Sequence, residues 1–368
     1  MRLGFFTMPL HPLHRPISET LKEDRELTLL ADRLGFVEGF FGEHVTDRAE
    51  PITSSLIFVA WLLSETKRIK LGTGTINLPN HHPAMVAAEV AMVDHMAEGR
   101  FLMGISPGGL LSDAELFGNL DRDRPAMFLE AINQILEIWA GEAPYQIKGS
   151  YWETTTERTH IPELGQGLIH KPYQLPHPPI VVTAVSPHSS SVTQAGARDW
   201  QVISGNFLLP KWVASHWPKY IEGCATRGAV ADPANWRVAK SIFVADDLAT
   251  ARRYATDPDG PYYQYFSSIV TKMKRSGRAA LFKHDPTAPD ESVTIEGVVE
   301  DLVIWGTPNK VADDLARFRE ETGPFGTLLY AGHDWADRDL AIRSMELMAE
   351  QVMPKFTEQS AASPVGGL

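Results

Sequence analysis

The chain has 368 residues, of which 43% are hydrophobic and 22% charged, with a formal net charge of −12 and one cysteine, Cys224. This acidic balance disfavours nucleic acid and anionic membrane surfaces as partners, because both bind to basic faces. A single cysteine supports neither a disulfide framework nor a cysteine-based metal site, and no apolar run approaches the roughly 18 residues of a membrane span, so the sequence predicts a cytoplasmic protein.

Short apolar runs alternate with helical patterns along the chain, which is typical of β–α units that build a parallel sheet. Eight runs are predicted to be strands: residues 3–8, 36–41, 69–77, 101–106, 180–185, 200–204, 236–244 and 327–331. The patterns between them predict helices at residues 18–34, 51–64, 83–98, 124–139, 189–197 and 210–227, from 247 onward, and at 307–322 and 337–352. Residues 145–156 are typical of a hairpin, and the pattern assigns no element to residues 257–300.

Eight β–α steps favour a closed barrel over an open doubly wound sheet, which usually needs about five or six. We therefore predict an α/β fold, a (β/α)8 TIM-like barrel with insertions. It is formed as a single domain by residues 1–356, and a flexible tail follows at residues 357–368. In such barrels the catalytic groups lie at the carboxyl ends of the strands. The strand-to-helix corners should therefore contain the site residues.

The corners after the second and third predicted strands hold the first candidates. The second corner, Gly42-Glu43-His44, presents a histidine, a residue that titrates near neutral pH and suits a proton donor or acceptor. A surface histidine without a role is the alternative. The third corner runs from Gly72 through Gly74-Thr75 to Asn77. Its glycines let the backbone approach a flat ligand closely, or they simply allow the strand end to twist.

The fourth corner, residues 104–109, has the sequence Gly-Ile-Ser-Pro-Gly-Gly and includes Ser106. It lacks the Gly-x-Gly-x-x-Gly spacing of a dinucleotide-binding loop, and Pro107 removes one amide donor. The chain also lacks a Walker-type lysine loop. The sequence therefore predicts no nicotinamide-binding motif.

The fifth corner carries a cluster of hydroxyls at the start of a predicted helix, formed by Ser186, Ser189, Ser190 and Ser191. The first amides of a helix and its positive dipole end bind anions, and serine hydroxyls add donors, so the cluster suits a phosphate. Simple capping of the helix by one serine is the alternative. A basic residue should balance the phosphate charge, and Arg122 and Arg124 are the candidates.

The pair His81-His82 has the residue type of a metal site but not its spacing. Adjacent side chains point apart, and no carboxylate follows at ligand spacing on a helix face. We therefore predict no metal.

Taken in chain order, these corners resemble those of the bacterial luciferase family of flavin monooxygenases. The resemblance covers nearly the whole chain, and although each motif is modest, the ordered set is specific. The motifs lie at residues 3–9, 43–44, 71–79 with 82–83, 98–105, 176–180, 186–191, 306–308 and 347–354. Within the family, Ser106-Pro107-Gly108-Gly109 followed by Asp113, together with the triple serine, is most similar to the diketocamphane-type Baeyer–Villiger and terpene monooxygenases.

The resemblance implies roles for the corner residues. His44 matches the family's catalytic histidine, and Gly74-Thr75 matches a strained, often cis, peptide beneath the flavin ring, with Asn77 close by. Ser106 takes the place of a cysteine in the luciferases, so thiol-specific behaviour does not carry over.

The resemblance also implies a cofactor and partners. Arg124, Ser186 and Ser189 match phosphate-binding positions, and Ser190 is their neighbour. The cofactor implied is reduced FMN (FMNH2), supplied by a separate flavin reductase, and the chemistry is that of a peroxyflavin formed with O2. The family is usually dimeric, so a homodimer is expected.

We therefore expect an FMNH2-dependent monooxygenase that oxidises a small apolar carbonyl or alkene substrate. One alternative is a deazaflavin-dependent oxidoreductase on the same fold, which transfers hydride without oxygen. The other is a non-catalytic flavin-binding protein, against which the presence of His44 at a strand-end corner argues.

Overall fold

The structure is a computed structural model and describes residues 1–8 and 10–356. Its strands, in chain order, are β1 (Arg2–Thr7), β2 (Glu38–Phe41), β3 (Lys70–Thr73), β4 (Ile76–Asn77), β5 (Phe101–Ser106), β6 (Gln146–Lys148), β7 (Glu153–Thr155), β8 (Ile180–Ala184), β9 (Gln201–Ser204), β10 (Trp236–Val244), β11 (Val303–Gly306) and β12 (Thr327–Ala331). Seven of the eight predicted strands are confirmed, and the third, predicted over residues 69–77, is divided into β3 and β4. The predicted hairpin, formed by β6 and β7, is confirmed as well.

The helices begin and end close to the predicted limits in most cases. They are α1 (Ile17–Arg33), α2 (Ser55–Leu63), α3 (Pro83–Ala97), α4 (Leu111–Leu116), α5 (Arg124–Ala140), α6 (Ser190–Ala197), α7 (Pro210–Ala214), α8 (His216–Thr226), α9 (Leu248–Ala255), α10 (Pro261–Arg275), α11 (Ile295–Leu302), α12 (Pro308–Thr322) and α13 (Arg338–Leu347). A π-helical turn, Met348–Val352, follows α13.

Eight parallel strands close into a ring, in the order β1-β2-β3-β5-β8-β9-β10-β12 and back to β1. The predicted (β/α)8 barrel is therefore confirmed. β10 is buried along all nine residues, as expected for a parallel strand covered on both faces. Its first half pairs with β12 and its second half with β11, so β11 is a short additional strand.

Two compact units make up the chain, one formed by Met1–Gly39 and the chain from Val182 onward, the other by Phe40–Val181. We refer to them as the first and the second unit. The organisation of residues 1–356 as a single domain stays a prediction, and the tail predicted at 357–368 lies outside the described residues. Within the described ranges, no helix has the length and apolar character needed to cross a bilayer.

Several local predictions were wrong, and each has a local cause. α2 begins after Ser54 rather than at Pro51, because the Ser54 hydroxyl accepts a hydrogen bond from the Ile57 amide at 3.3 Å. The helix predicted over residues 210–227 is two helices, separated at Ser215. Residues 257–300, which the pattern left unassigned, contain α10, two short 3-10 turns and most of α11. The pattern also missed α4 and β11.

A buried ion pair lies inside the first unit. Glu38 accepts two hydrogen bonds from the Arg237 guanidinium, at 2.6 Å and 2.9 Å, and each side chain is 4% exposed. Two parallel bonds match a carboxylate to a guanidinium in charge and shape, which offsets the cost of removing both groups from water. Neither charge can be deleted alone without leaving the other buried and unbalanced.

A second charged cluster fixes the loops that follow β1 and β12. The His11 imidazole contacts Asp334 at 2.6 Å and Asp24 at 3.2 Å, and Arg15 donates hydrogen bonds to Asp334 and to Glu23. His11, Glu23 and Asp334 bring ligand-type atoms within 4.8 Å of one another, as a metal site would. Because Arg15 already supplies a positive charge to both carboxylates, the cluster is balanced by the protein's own cations.

We expect this cluster to make stability depend on pH above neutrality. Burial lowers the pKa of His11, but hydrogen bonds and charges from Asp24 and Asp334 outweigh it and raise the pKa from 6.5 to about 9. A group with a raised pKa in the folded state stabilises the fold when protonated. That contribution is complete below pH 6.5 and is lost as the pH rises through about 9.

The measurement is the free energy of unfolding by urea at a series of pH values across this range. The wild type should lose stability towards alkaline pH more steeply than His11→Asn. His14→Asn, which alters an exposed histidine in the same loop, is the matched control and should follow the wild type. If the free energies of unfolding of the wild type and of His11→Asn change with pH in parallel, His11 is not the cause of the pH dependence.

Candidate active site

His44 lies between two buried carboxylates at the corner after β2. Its Nε2 is 3.3 Å from Glu50 Oε2, and its Nδ1 is 3.8 Å from Asp113 Oδ2. The side chain is 13% exposed, whereas each carboxylate is 4% exposed. Asp113 also accepts hydrogen bonds from the amides of Val45 and Thr46, which fixes the turn after the histidine. The imidazole thus has an acidic group near each nitrogen.

Glu43, the residue before His44, connects this corner to three other segments. Its carboxylate accepts hydrogen bonds from the Ser55 amide (2.9 Å), the Ser55 hydroxyl (2.7 Å) and the Asn77 amide (3.0 Å), and His81 Nε2 lies at 3.5 Å. Burial acts to raise the pKa of Glu43, but hydrogen bonds from His81, Asn77 and Ser55 outweigh it and hold the pKa below its usual value. Glu43 is therefore a buried negative charge that fixes the start of α2 and the position of β4.

Hydrogen bonds join the predicted residues of the third and fourth corners. The Thr75 hydroxyl donates to Ser106 Oγ at 2.7 Å, and the Ser106 hydroxyl donates to Asn77 Oδ1 at 2.8 Å. Ser106 Oγ also accepts the Gly108 amide at 3.1 Å, and Arg124 donates to the Gly108 carbonyl at 3.2 Å. The second unit thus brings Thr75, Asn77, Ser106 and Arg124 together through direct contacts and the Gly108 backbone.

The Gly74–Thr75 peptide is cis, as the resemblance implied. It separates β3 from β4, so the third predicted strand is interrupted at this point. The Gly74 amide donates to the Phe41 carbonyl at 2.6 Å, which connects it to the end of β2.

The serine cluster forms a loop in the first unit between β8 and α6. Ser189 occupies the position before the first helical residue, but its side chain makes no capping hydrogen bond and instead contacts Ser191 Oγ at 2.8 Å. His188 has a φ of +50°, a left-handed conformation that is uncommon for a residue with a side chain. The simple capping alternative is therefore wrong for Ser189, whose hydroxyl pairs with that of Ser191 instead.

A buried relay holds the first residue of this loop. The Trp236 indole donates to Ser204 Oγ at 2.8 Å, Ser204 Oγ lies 2.8 Å from His216 Nδ1, and His216 Nε2 lies 2.9 Å from the Ser186 carbonyl. An indole N–H only donates and a carbonyl only accepts, so Ser204 donates to Nδ1 and Nε2 carries the proton. Burial lowers the pKa of His216, which keeps the imidazole neutral as this relay requires.

The preceding carbonyl is held by an arginine. Arg278 Nη2 donates to the Val185 oxygen at 2.7 Å. Two consecutive carbonyls, those of Val185 and Ser186, are thus fixed by side chains from distant parts of the first unit.

A second polar network in the first unit joins residues that follow β9 and β12 to Ser241 inside β10 and to Tyr265 of α10. The Tyr265 hydroxyl donates to Asn206 Oδ1 at 2.9 Å, Asn206 Nδ2 donates to Ser241 Oγ at 3.2 Å, and Ser241 Oγ lies 3.1 Å from His333 Nε2. The His333 ring is flanked by Tyr262 and Tyr265, each with its centroid 4.7 Å away. Burial lowers the pKa of His333 to about 3, so this imidazole is neutral.

A model of the family described as luciferase-like monooxygenase matches residues 1–324. The chain belongs to this family. It is a flavin-dependent monooxygenase, as the sequence resemblance indicated.

Three known proteins show how similar the relatives are. The limonene 1,2-monooxygenase of Rhodococcus erythropolis is 31% identical over 358 residues, which cover 96% of this chain and 86% of the relative. The oxygenating constituent of 3,6-diketocamphane monooxygenase from Pseudomonas putida, a type II Baeyer–Villiger monooxygenase solved in complex with FMN, has a TM-score of 0.86 and 25% identity, covering 96% of this chain and 98% of that one. An F420-dependent secondary alcohol dehydrogenase has a TM-score of 0.67 and 17% identity, covering 96% and 99% respectively, and shares the fold.

The sequence did not reveal several residues of these sites. Glu50, His216, Arg278 and His333 lie in segments without a recognisable motif. The partners of the last three are distant in the chain, whereas Glu50 is only six residues from His44. Asp113 was noted only as part of the family resemblance. The sole local signal was the high density of acidic residues and histidines near the strand ends.

We expect Ser106→Ala to destabilise the protein by about 1–3 kcal/mol, because it leaves the Thr75 hydroxyl, the Gly108 amide and Asn77 Oδ1 without their partner. Urea denaturation of the variant and the wild type would measure the difference. Ser64→Ala is the control: this exposed serine donates only to the carbonyl three residues before it, so the change should stay within about 0.5 kcal/mol. Equal stability of the Ser106 variant and the wild type would show that these hydrogen bonds contribute nothing to the free energy of unfolding.

Proposed function

We propose that this protein is the oxygenase of a two-component system in the cytoplasm. It uses reduced FMN, supplied by a separate flavin reductase, to transfer one oxygen atom from O2 to a small apolar carbonyl or alkene. The observation that carries the proposal is the position of the His44 imidazole between Glu50 and Asp113, at a strand-end corner of a luciferase-like barrel.

Two features of the relatives support the cofactor and the partner. The diketocamphane enzyme, solved with FMN, is 25% identical to this chain, whereas the F420-dependent enzyme is 17% identical and supports the shared fold alone. The same diketocamphane protein is an oxygenating constituent, which implies a second constituent that reduces the flavin. A terpene alkene and a bicyclic diketone appear in the names of the relatives, so the proposed substrate class is small and apolar.

The donor set of the serine loop fits a phosphorylated cofactor. Ser186, Ser189 and Ser190 offer hydroxyls at the start of α6, and the Ser189 side chain does not cap that helix. Helix-start amides together with hydroxyls are a preferred environment for a phosphate dianion. We assign the phosphate to this loop. Gly74, Thr75, Asn77, Ser106 and Arg124, all in the second unit, stay predicted cofactor-binding residues.

His44 would manage the proton of the oxygen-transfer step. Bound reduced flavin supplies the electrons that activate O2. An imidazole with a carboxylate facing each nitrogen can hold a proton at one nitrogen and exchange it at the other, and a positioned acid or base of this kind contributes about 10²–10⁴-fold to a rate. Glu50 and Asp113 would then act as positioning residues for His44.

The test of the function is oxygen uptake after photoreduced FMN is mixed with the protein and a panel of cyclic ketones, aldehydes and terpenes. Substrate-dependent uptake, with isotopically labelled oxygen in the product, is the expected result. A parallel assay with reduced F420 and no oxygen tests the deazaflavin alternative. Tight flavin binding without oxygen incorporation from any member of the panel would favour the non-catalytic alternative.

We expect His44→Ala to lower turnover by about a hundredfold or more while leaving the affinity for flavin nearly unchanged, because the imidazole handles a proton rather than holding the cofactor. Single-turnover product formation and flavin titration would measure the two effects separately. The exposed His14→Ala variant should match the wild type in both. Unchanged turnover in His44→Ala would remove His44 from the reaction.

We also propose that the protein is a homodimer, joined through an apolar surface on α2 and α3. These helices pack against each other and expose Ile57, Trp61, Met85, Met92 and Met96, which are between 41% and 74% accessible. α2 has no charged residue over its nine positions. The patch is mainly apolar, with Glu89 as a partly exposed charged residue on the same face of α3. An apolar patch of this kind is typical of an interface, and a second copy of the same surface is complementary to it in hydrophobicity.

Met92→Glu should convert the dimer into a monomer, because each charge would be buried against its symmetry-related copy. Sedimentation velocity at matched concentrations is the measurement. Val230→Glu, at a fully exposed apolar residue of the first unit, is the control and should leave the dimer intact. A dimeric Met92→Glu variant, or a monomeric wild type, would contradict the assignment.

A further inference from the structure

Arg278 lies beside the serine loop without an acidic partner. Its Nη2 donates to the carbonyl of Val185, the residue directly before Ser186, and both residues belong to the first unit. The guanidinium is half-buried, and among the residues that the structure describes no carboxylate forms a salt bridge with it.

The electrostatic surroundings of Arg278 differ from those of Arg15, another partly enclosed arginine. Burial lowers the pKa of Arg278, and among the described residues no carboxylate acts in the opposite direction. Arg15, by contrast, has its pKa raised by Glu23 and Asp334. A cation that is withdrawn from water without a counter-charge is costly, and a bound anion would remove that cost.

The guanidinium also has donors to spare. It carries five N–H groups in a planar fork, and its one hydrogen bond goes to the Val185 carbonyl. That bond fixes the side chain at the start of the loop, while His216 fixes the next carbonyl along. A planar fork with free donors is well suited to phosphate oxygens.

We propose that Arg278 binds the phosphate of FMN together with the hydroxyls of the serine loop. This inference rests on the proposed function, because it requires that a flavin mononucleotide occupies that loop. It adds a cation that the sequence did not suggest: Arg122 and Arg124 belong to the second unit, where Arg122 donates to Asn119 and Arg124 to the Gly108 carbonyl.

The competing interpretation is that Arg278 only fastens the turn after α10 to the end of β8. Nearby contacts already fasten this region, since Trp212 Nε1 donates to the Leu281 carbonyl at 3.0 Å and Lys211 donates to the Lys283 carbonyl at 2.9 Å. A purely structural role would affect every ligand of the site equally. A phosphate-binding role would affect only ligands that carry a phosphate.

The experiment compares the affinities of the protein for FMN and for riboflavin, which has the same ring system without the phosphate. Each is measured with oxidised flavin and, anaerobically, with reduced flavin. Arg278→Gln should weaken FMN binding about tenfold or more, since a charge-assisted hydrogen bond is lost, and should leave riboflavin binding unchanged. The affinity for FMN should also become less dependent on salt concentration.

Three further variants complete the design. Arg278→Lys keeps the charge without the fork and should give an intermediate loss for FMN only, which also covers the case in which Arg278→Gln fails to fold. Arg275→Gln, at the exposed last residue of α10, is the matched control and should bind both ligands as the wild type does. Ser186→Ala with Ser189→Ala tests the loop itself and should weaken FMN selectively.

The outcomes distinguish a failure of the Arg278 assignment from a failure of the proposed function. Equal weakening of FMN and riboflavin in the Arg278 variants, or unchanged FMN binding, would overturn the assignment of Arg278 and leave the proposed function standing. If both the serine variant and the arginine variants keep the preference of the wild type for FMN over riboflavin, the phosphate site is overturned. A wild type that binds neither flavin would overturn the proposed function and this inference with it.

Discussion

Glu43 carries a buried negative charge, and the groups that surround it fix the geometry of the second unit's site. The carboxylate is stabilised by donors from the start of α2, from β4 and from His81, so three segments converge on one side chain. Because the charge would be costly without these donors, the segments cannot separate without losing stability. His44 is the residue after Glu43. The hydrogen bonds that lead from Thr75 through Ser106 to Asn77 end at the Glu43 backbone carbonyl, which accepts a hydrogen bond from the Asn77 side chain.

The serine loop of the first unit is built on a different principle. Its carbonyls are held by a neutral imidazole and an arginine, so the loop receives donors rather than negative charge. The relay from Trp236 through Ser204 requires His216 to remain neutral, and burial favours that state. The site of the second unit is thus organised around a buried carboxylate, and the serine loop of the first unit around hydrogen-bond donors.

Membership of the luciferase-like family limits the chemistry without defining the substrate. The Ser106 hydroxyl accepts two hydrogen bonds and donates one, a pattern that a thiol would form only weakly. The network of Tyr265, Asn206, Ser241 and His333 involves α10, in the segment where the sequence pattern was weakest. Segments of this kind lie outside the repeating β–α pattern, which leaves them free to differ between relatives.

The sequence by itself determined the eight strands, most helices and the corner residues, because periodic burial and the residue types at strand ends are local properties. It also predicted the cis peptide after Gly74 through the family resemblance. It could not place His216 and Arg278 beside the serine loop, since these contacts join side chains and carbonyls across long stretches of chain. It also missed Glu50 beside His44 and the helix α10, although both are local in sequence. Only the tertiary structure decided those contacts, because burial and charge balance are set by neighbours in space rather than in sequence.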